Sequence, residues 1–119
     1  MVPYFAERIK GYYDEIIMHP NIYGRDVYPY SDRMKEHPIE HFKRFYADTA
    51  TSGSLAALRC GYDFAGQDRV VFGTDFPYGP ELGERWTRQI MQNIRDFEIP
   101  EEAKAKIWEG NARKLLKLA

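Results

Sequence analysis

The stretch that decides the fold runs from Val70 to Pro80 and reads Val-Val-Phe-Gly-Thr-Asp-Phe-Pro-Tyr-Gly-Pro. Its apolar and small residues show no polar alternation, which is typical of a strand covered on both faces, as in a parallel sheet. The run leads directly into one carboxylate, Asp75, before proline and glycine stop the regular structure. Asp75 therefore lies at the carboxyl end of a strand, where parallel α/β folds build their active sites.

The residues alone leave two interpretations of Asp75 open. In the first, its carboxylate ligates a metal or transfers a proton, as strand-end acids of α/β folds often do. In the second, it serves the following loop as an N-cap or Asx-turn acceptor.

Upstream, the pattern predicts a second strand and a connecting helix. Arg44 to Thr49 is a candidate strand that ends in Asp48, and Ser54 offers an N-cap before the helix-forming run that starts at Leu55. We expect Gly61 and Gly66 to end this helix and Arg69 to Thr74 to form the second strand, giving a right-handed parallel βαβ unit. Asp48 either lines the same pocket as Asp75 or caps the turn from Thr49 to Ser52, and the turn is the favoured account.

Helical spacing of apolar residues predicts the remaining elements. We expect a helix over about 3–17, an aromatic loop from His19 to Asp32 and a short helix from Pro38 to Lys43. Another helix starts at Pro80, with one apolar face made by Leu82, Trp86, Ile90, Ile94 and Phe97. A further helix is expected to start within Ile99 to Glu102. We expect Gly110 to cap its end and Asn111 to begin the last helix.

Composition restricts the classes of function. The chain has 119 residues and a net charge of −1, so no basic excess supports nucleic-acid binding. Cys60 is the only cysteine, which fits a reducing compartment, and we expect a cytoplasmic protein without signal peptide or membrane span. Two parallel strands do not make a stable sheet by themselves, so the chain is expected to be part of a larger α/β protein.

One motif matches a zinc-peptidase pattern, because His37-Pro-Ile-Glu-His41 has the form H-x-x-E-H. The geometry argues against a metal site, since both histidines would have to lie one turn apart inside a helix. Pro38 is comfortable only at a first helical position, which leaves His37 outside the helix as its cap.

Several segments together resemble one family. Gly66 to Gly79, with its Gly-Thr-Asp-Phe-Pro core, resembles the last barrel strand of the amidohydrolase-related metal-dependent hydrolases and decarboxylases, including those similar to aminocarboxymuconate-semialdehyde decarboxylase. Gly110 to Leu116 resembles the closing helix of that family, Pro3 to Ile9 the helix after its sixth strand, and Phe45 to Ala50 its seventh strand. The resemblance implies that residues 1–119 are one partial domain, the C-terminal quarter to third of a TIM (β/α)8 barrel, which needs about 250 residues.

The resemblance also implies site residues. Asp75 corresponds to the aspartate that ligates the metal, most often zinc, and handles protons in the family. Arg8 corresponds to an arginine that reaches a substrate carboxylate across a dimer interface in some family decarboxylases. The metal-ligating and catalytic histidines of the family have no counterpart here, because His19, His37 and His41 match none of their positions.

The implied function is that of the C-terminal portion of a metal-dependent enzyme that hydrolyses or non-oxidatively decarboxylates a small carboxylated substrate. Since a catalytic zinc takes about three protein ligands, the isolated chain is expected to bind no catalytic metal and to be inactive. The alternative is a non-catalytic truncated product that folds by self-association or by pairing with a complementary fragment.

Overall fold

A computed structural model describes residues 1–23 and 34–118. These residues fall into two compact units, one within residues 1–45 and the other within residues 46–119. The expected single partial domain stays a prediction, and the part of the aromatic loop that contains Tyr28 and Tyr30 lies outside the described residues. In the described ranges, no helix combines the length and the apolar character that crossing a bilayer would need.

The described part of residues 1–45 consists mainly of helices. Helix α1 spans Val2–Met18 with Pro3 in its first turn, which confirms the predicted helix over 3–17. A short helix, α2, spans Pro20–Tyr23, so the loop prediction was wrong for these residues. Helix α3 spans Pro38–Phe42, and the amide of Ile39 donates to His37 Nδ1 over 3.2 Å, so that His37 caps it as its proline predicts.

The unit of residues 46–119 contains the parallel sheet. Strand β1 (Ala47–Asp48) pairs with β2 (Val70–Val71), with Ala47 opposite Val70 and Asp48 opposite Val71. Both strands are shorter than predicted. At the amino end, the amides of Arg44 and Phe45 bond to carbonyls of the α3 turn, which takes these two residues out of the ladder.

Helix α4 (Leu55–Ala65) connects the two strands. The amide of Ala57 donates to Ser54 Oγ over 3.2 Å, which confirms Ser54 as the N-cap, and Gly66 ends the helix at a φ of 78°. Gly61 lies inside α4 rather than at its end, because a single glycine weakens a helix without breaking it. Leu58 is the buried core residue of α4, and Tyr62 and Ala65 pack against the same core.

Helix α5 spans Glu84–Asp96 and starts later than predicted from Pro80. Glu81, Leu82 and Gly83 all have positive φ, which a right-handed helix does not tolerate. Leu82 is consequently exposed instead of joining the apolar face of α5, which was the prediction for it. The other predicted members of that face do line the core: Trp86, Ile90, Ile94 and Phe97.

The last helical segment is continuous. Helix α6 (Glu101–Ala105) passes through a π-helical turn at Lys106–Gly110 into α7 (Asn111–Leu116). Gly110 and Asn111 both have right-handed helical angles, so the predicted cap and restart at this point were wrong. Asn111 is buried, and its Nδ2 donates to the carbonyls of Gln67 and Val70, each over 2.8 Å. Its role is to fasten the closing helix to the start of β2.

Candidate active-site edge of the sheet

The carboxyl ends of β1 and β2 meet at one edge, because the strands are parallel and in register. Asp48 ends β1, and the segment from Gly73 to Asp75 follows β2 at the same edge. The sheet thus brings both predicted strand-end acids to the side on which parallel α/β folds carry their chemistry.

Thr49 extends the pairing beyond the two ladder residues. Its side chain is fully buried, and its hydroxyl donates to the Gly73 carbonyl over 2.8 Å and accepts from the Gly73 amide over 3.0 Å. The hydroxyl therefore satisfies both backbone groups of Gly73 where the strands begin to separate. Sequence reasoning missed this residue, and its only signal was a threonine placed one residue after the strand-end acid.

Asp48 serves the turn that follows β1. Its Oδ1 accepts from the amide of Ala50 over 3.0 Å, which supports the prediction that Asp48 caps the turn from Thr49 to Ser52. A Cβ added to Gly73 would lie 3.1 Å from Asp48 Cβ, so the close approach of the two strand ends favours glycine at that position.

Asp75 has a different environment. Its φ is 63° and its side chain is exposed. The turn after it is closed by its own carbonyl, which accepts from the Tyr78 amide over 2.9 Å, and by Thr74 Oγ1, which accepts from the Phe76 amide over 3.3 Å. Within residues 1–23 and 34–118, no hydrogen bond or ion pair is made by the Asp75 carboxylate. The turn is thus closed by the Thr74 hydroxyl and by the Asp75 carbonyl, not by the Asp75 carboxylate.

Arg8 lies on the exposed side of α1. Its Nη2 donates to the Tyr12 hydroxyl over 3.4 Å, and its guanidinium carbon lies 5.5 Å from the centre of the Tyr12 ring. It belongs to the unit of residues 1–45, whereas Asp75 belongs to the other unit.

The histidines do not assemble a metal site. His19 lies near Glu15, at 3.8 Å, and His37 Nε2 lies 3.5 Å from Asp14 Oδ1. His41 Nδ1 lies 3.4 Å from an Arg44 nitrogen. Among the residues that the structure describes, no three or more His, Cys, Asp or Glu side chains come together to hold a metal ion. The donors in residues 1–23 and 34–118 therefore do not fit a complete catalytic metal site.

Comparison with known proteins decides the family. The family model described as "Amidohydrolase" matches residues 11–118. The chain belongs to the amidohydrolase family. The resemblance noted from the strand-end motif is thereby confirmed.

Two relatives of this amidohydrolase-family chain are decarboxylases. The 6-methylsalicylic acid decarboxylase of Penicillium expansum is 32% identical over 80 residues, which are 67% of this chain and 24% of that protein. The crystal structure of 5-carboxyvanillate decarboxylase from Sphingomonas paucimobilis matches with a TM-score of 0.69 at 28% identity, covering 99% of this chain and 31% of the other.

The chain thus spans about a quarter to a third of the length of these relatives. The solved relative has the TIM-barrel fold, and two parallel strands with flanking helices are what part of such a barrel contains. The predicted fold class, a portion of a TIM barrel, is confirmed.

Proposed function

We propose that the chain is the C-terminal portion of a metal-dependent amidohydrolase-family enzyme that acts on a small carboxylated substrate by non-oxidative decarboxylation or by hydrolysis. Both relatives are named for the removal of a carboxyl group from an aromatic acid, which favours decarboxylation over hydrolysis. A divalent metal, most simply zinc, would supply charge stabilisation in the intact enzyme.

The observation that carries this proposal is that the Asp75 carboxylate is exposed and takes no part in the turn that follows it. Two strand-end acids lie at one edge of the sheet, and only Asp48 has a backbone partner among the described residues. A strained backbone that leaves a carboxylate exposed and unused by the turn is the pattern expected of a functional group. We assign Asp75 the role of metal ligand or proton carrier.

Arg8 is proposed as a substrate-binding residue. An exposed guanidinium that lies on a tyrosine ring is available for a bidentate bond to a carboxylate. Replacing Arg8 by Lys keeps the positive charge but removes the planar pair of N–H donors that a bidentate bond needs. In the intact enzyme, this change should therefore raise KM more than it lowers kcat.

The isolated chain is proposed to be inactive. The described donors do not make a three-ligand site, so the purified 119-residue chain should hold far less than one zinc per chain and show no turnover. Elemental analysis together with a carbon dioxide release assay checks this. Stoichiometric zinc with turnover would overturn it.

The role of Asp75 is tested in a chimeric barrel, in which this chain replaces the matched 31% of 5-carboxyvanillate decarboxylase. Asp75→Asn should lower kcat/KM about 100-fold or more, as removal of a group that acts in the transition state does. Asp48→Asn is the matched control, because its amide oxygen can still accept from Ala50, and it should change activity less than about threefold. Equal activity of the Asp75→Asn chimera and its parent would reject the proposal.

The alternative is a non-catalytic product that folds by self-association or with a complementary fragment. It is favoured by the sheet, whose two described strands pair only with each other, and by exposed apolar side chains at its carboxyl edge: Phe72, Phe76, Tyr78 and Leu82. Light scattering after size-exclusion chromatography distinguishes the cases. A well-folded monomer would count against this alternative, and we propose the cytoplasm as the site of either form.

A further inference from the structure

The segment from Asp75 to Gly83, which we term the Asp75 loop, is held in an unusual backbone conformation. Positive φ angles occur at Asp75 (63°), Glu81 (56°) and Leu82 (54°), and also at Gly79 (108°) and Gly83 (89°). For residues with a Cβ, this region costs free energy, and such residues persist only where the surroundings hold them.

Contacts with the first turn of α5 supply part of that support. A Cβ added to Gly79 would lie 2.3 Å from Trp86 Cε3, so the indole ring covers the backbone of the loop at this point. A Cβ added to Gly83 would lie 2.8 Å from the carbonyl carbon of Pro77. Gly83 is thus packed against the backbone of Pro77, and Gly79 is packed against Trp86.

Polar contacts tie the same loop to α5. Glu81 accepts a bond from Arg85 Nε over 3.3 Å and a second bond from the guanidinium of Arg88. The bond from Arg88 is the main reason that the pKa of Glu81 lies below its usual value. The Thr87 hydroxyl donates to the Gly83 carbonyl over 3.0 Å and closes the loop at its carboxyl end.

We infer that Trp86, Glu81 and Arg88 are positioning residues, which clamp the Asp75 loop and thereby set the direction of the Asp75 carboxylate. The carboxylate has no partner among the described residues, so its direction depends on the backbone conformation of the loop that carries it. This inference rests on the proposed function, because a positioned carboxylate matters only if it ligates a metal or moves a proton.

The first test measures amide hydrogen exchange, residue by residue, in the 119-residue chain. The Tyr78 amide reports on the loop because it bonds to the Asp75 carbonyl, whereas the amides of Thr49 and Leu58 report on the sheet and on α4. Glu81→Gln should speed exchange at Tyr78 about two- to fivefold, the effect of an exposed ion pair, and leave the other two unchanged. Glu84→Gln is the matched control, since Glu84 bonds to Arg88 from inside α5, and it should leave Tyr78 unchanged.

Arg88 provides a rescue experiment. Arg88→Gln should reproduce the faster Tyr78 exchange of Glu81→Gln, whereas Arg88→Lys keeps a charge for Glu81 and should restore most of the protection. A general loss of stability would speed exchange at all three amides together and would not follow the charge at this position.

The contact with Trp86 is tested at the glycines. Gly79→Ala forces a methyl into the indole and should speed Tyr78 exchange about tenfold. In a Trp108→Phe background, where Trp86 is the only tryptophan, it should also shift the fluorescence emission. Gly66→Ala is the control, because Gly66 also has a positive φ, 78°, but nothing lies near its added Cβ, and it should leave the Tyr78 exchange unchanged.

The outcomes separate this inference from the proposed function. Unchanged or uniformly accelerated exchange in Glu81→Gln and Gly79→Ala would overturn the clamp. In the chimeric barrel, Glu81→Gln should lower kcat about two- to fivefold with KM unchanged, since only the placement of Asp75 is altered. If Asp75→Asn is fully active while the exchange results hold, the proposed function fails and the clamp remains a structural device.

Discussion

Residues 46–119 and residues 1–45 are both rich in helix, but the two units bury apolar side chains very differently. In the first, one cluster joins α4, β2, α5 with its end, and the π-helical turn before α7. Its members are Leu58, Val70, Ile90, Ile94, Phe97 and Ile107. In the second, α1 has no buried residue, and Ile39 of α3 is the buried apolar side chain of the described part.

The difference indicates where stability resides. Burial of apolar surface is the main favourable term in folding, so residues 46–119 have the means to hold their own structure. Helix α1 instead exposes large apolar side chains, among them Tyr4, Tyr12, Ile17 and Met18. An amphipathic helix without a buried face depends on a partner surface, so we expect lower local stability in residues 1–45.

The largest effect is expected from a cavity in the core. Ile94→Ala should lower the free energy of unfolding by about 2–5 kcal/mol, because Ile94 is completely buried. The matched control in the other unit, Ile17→Ala, removes the same atoms from a half-exposed position and should cost no more than about 0.5 kcal/mol. Urea unfolding followed by circular dichroism measures both losses. Equal losses would contradict the conclusion that buried apolar side chains stabilise residues 46–119 more than residues 1–45.

The next effect concerns the buried amide that fastens the closing helix. Asn111→Ala leaves the carbonyls of Gln67 and Val70 without their donor and should cost about 1–3 kcal/mol. Asn93→Ala removes a single bond, to the half-buried Gly53 carbonyl, and should cost about 0.5–1.5 kcal/mol. A reversed order of the two losses in urea unfolding would contradict the anchoring role.

A smaller loss should follow removal of the hydroxyl that joins the strand ends. Thr49→Val keeps the shape of the side chain but leaves the Gly73 amide and carbonyl unpaired, at a cost of about 1–2 kcal/mol. Thr51→Val, whose hydroxyl bonds at an exposed site to the Ser54 carbonyl, should change stability by less than about 0.5 kcal/mol. Thermal unfolding of the two variants provides the check, and equal melting temperatures would argue against the role of Thr49.

In the unit of residues 1–45, the cap of α3 should give a local effect of about 0.5–1 kcal/mol. His37→Ala removes the acceptor of the Ile39 amide, whereas His37→Asn supplies another acceptor and should keep most of the protection. Hydrogen exchange at the Ile39 amide reports the change. If Asn behaves like Ala there, His37 does not act as a cap.

The smallest effect concerns pH. The pKa of Glu81 is lowered in the folded chain by Arg88, so its contribution is present above the ordinary value of 4.5 and is lost as pH falls through the folded pKa. Exchange at Tyr78, corrected for its intrinsic pH dependence, should therefore lose protection below about pH 4.5 in the parent. The same loss in Glu81→Gln would assign it to another group.

Much of the fold was predictable because its signals are local. Pro3 and Pro38 mark the starts of α1 and α3, Ser54 caps α4, and the apolar run at Val70 marks a buried strand. The strand-end motif also carried enough information to predict the family, which the comparisons confirm. Asp75 and Arg8 remain proposals for function.

The cap predicted at Asn111 and the missed role of Thr49 share one cause, which is that the deciding contacts are distant in sequence. Nothing near Asn111 shows that its amide will bond to Gln67 and Val70 instead of capping a helix. Nothing near Thr49 shows that its hydroxyl will form hydrogen bonds to both the amide and the carbonyl of Gly73.

The sequence by itself determined most of the longer helices, the parallel strand–helix–strand unit and the placement of one acid at the end of each strand. Spacing, caps and apolar runs act over a few residues, so they can be recognised without tertiary contacts. The sequence favoured a turn role for Asp48, which its bond from the Ala50 amide bears out, but only the tertiary structure showed Asp75 in a loop folded against α5. The conformation of that loop depends on packing between Gly79 and Trp86, which local pattern does not encode.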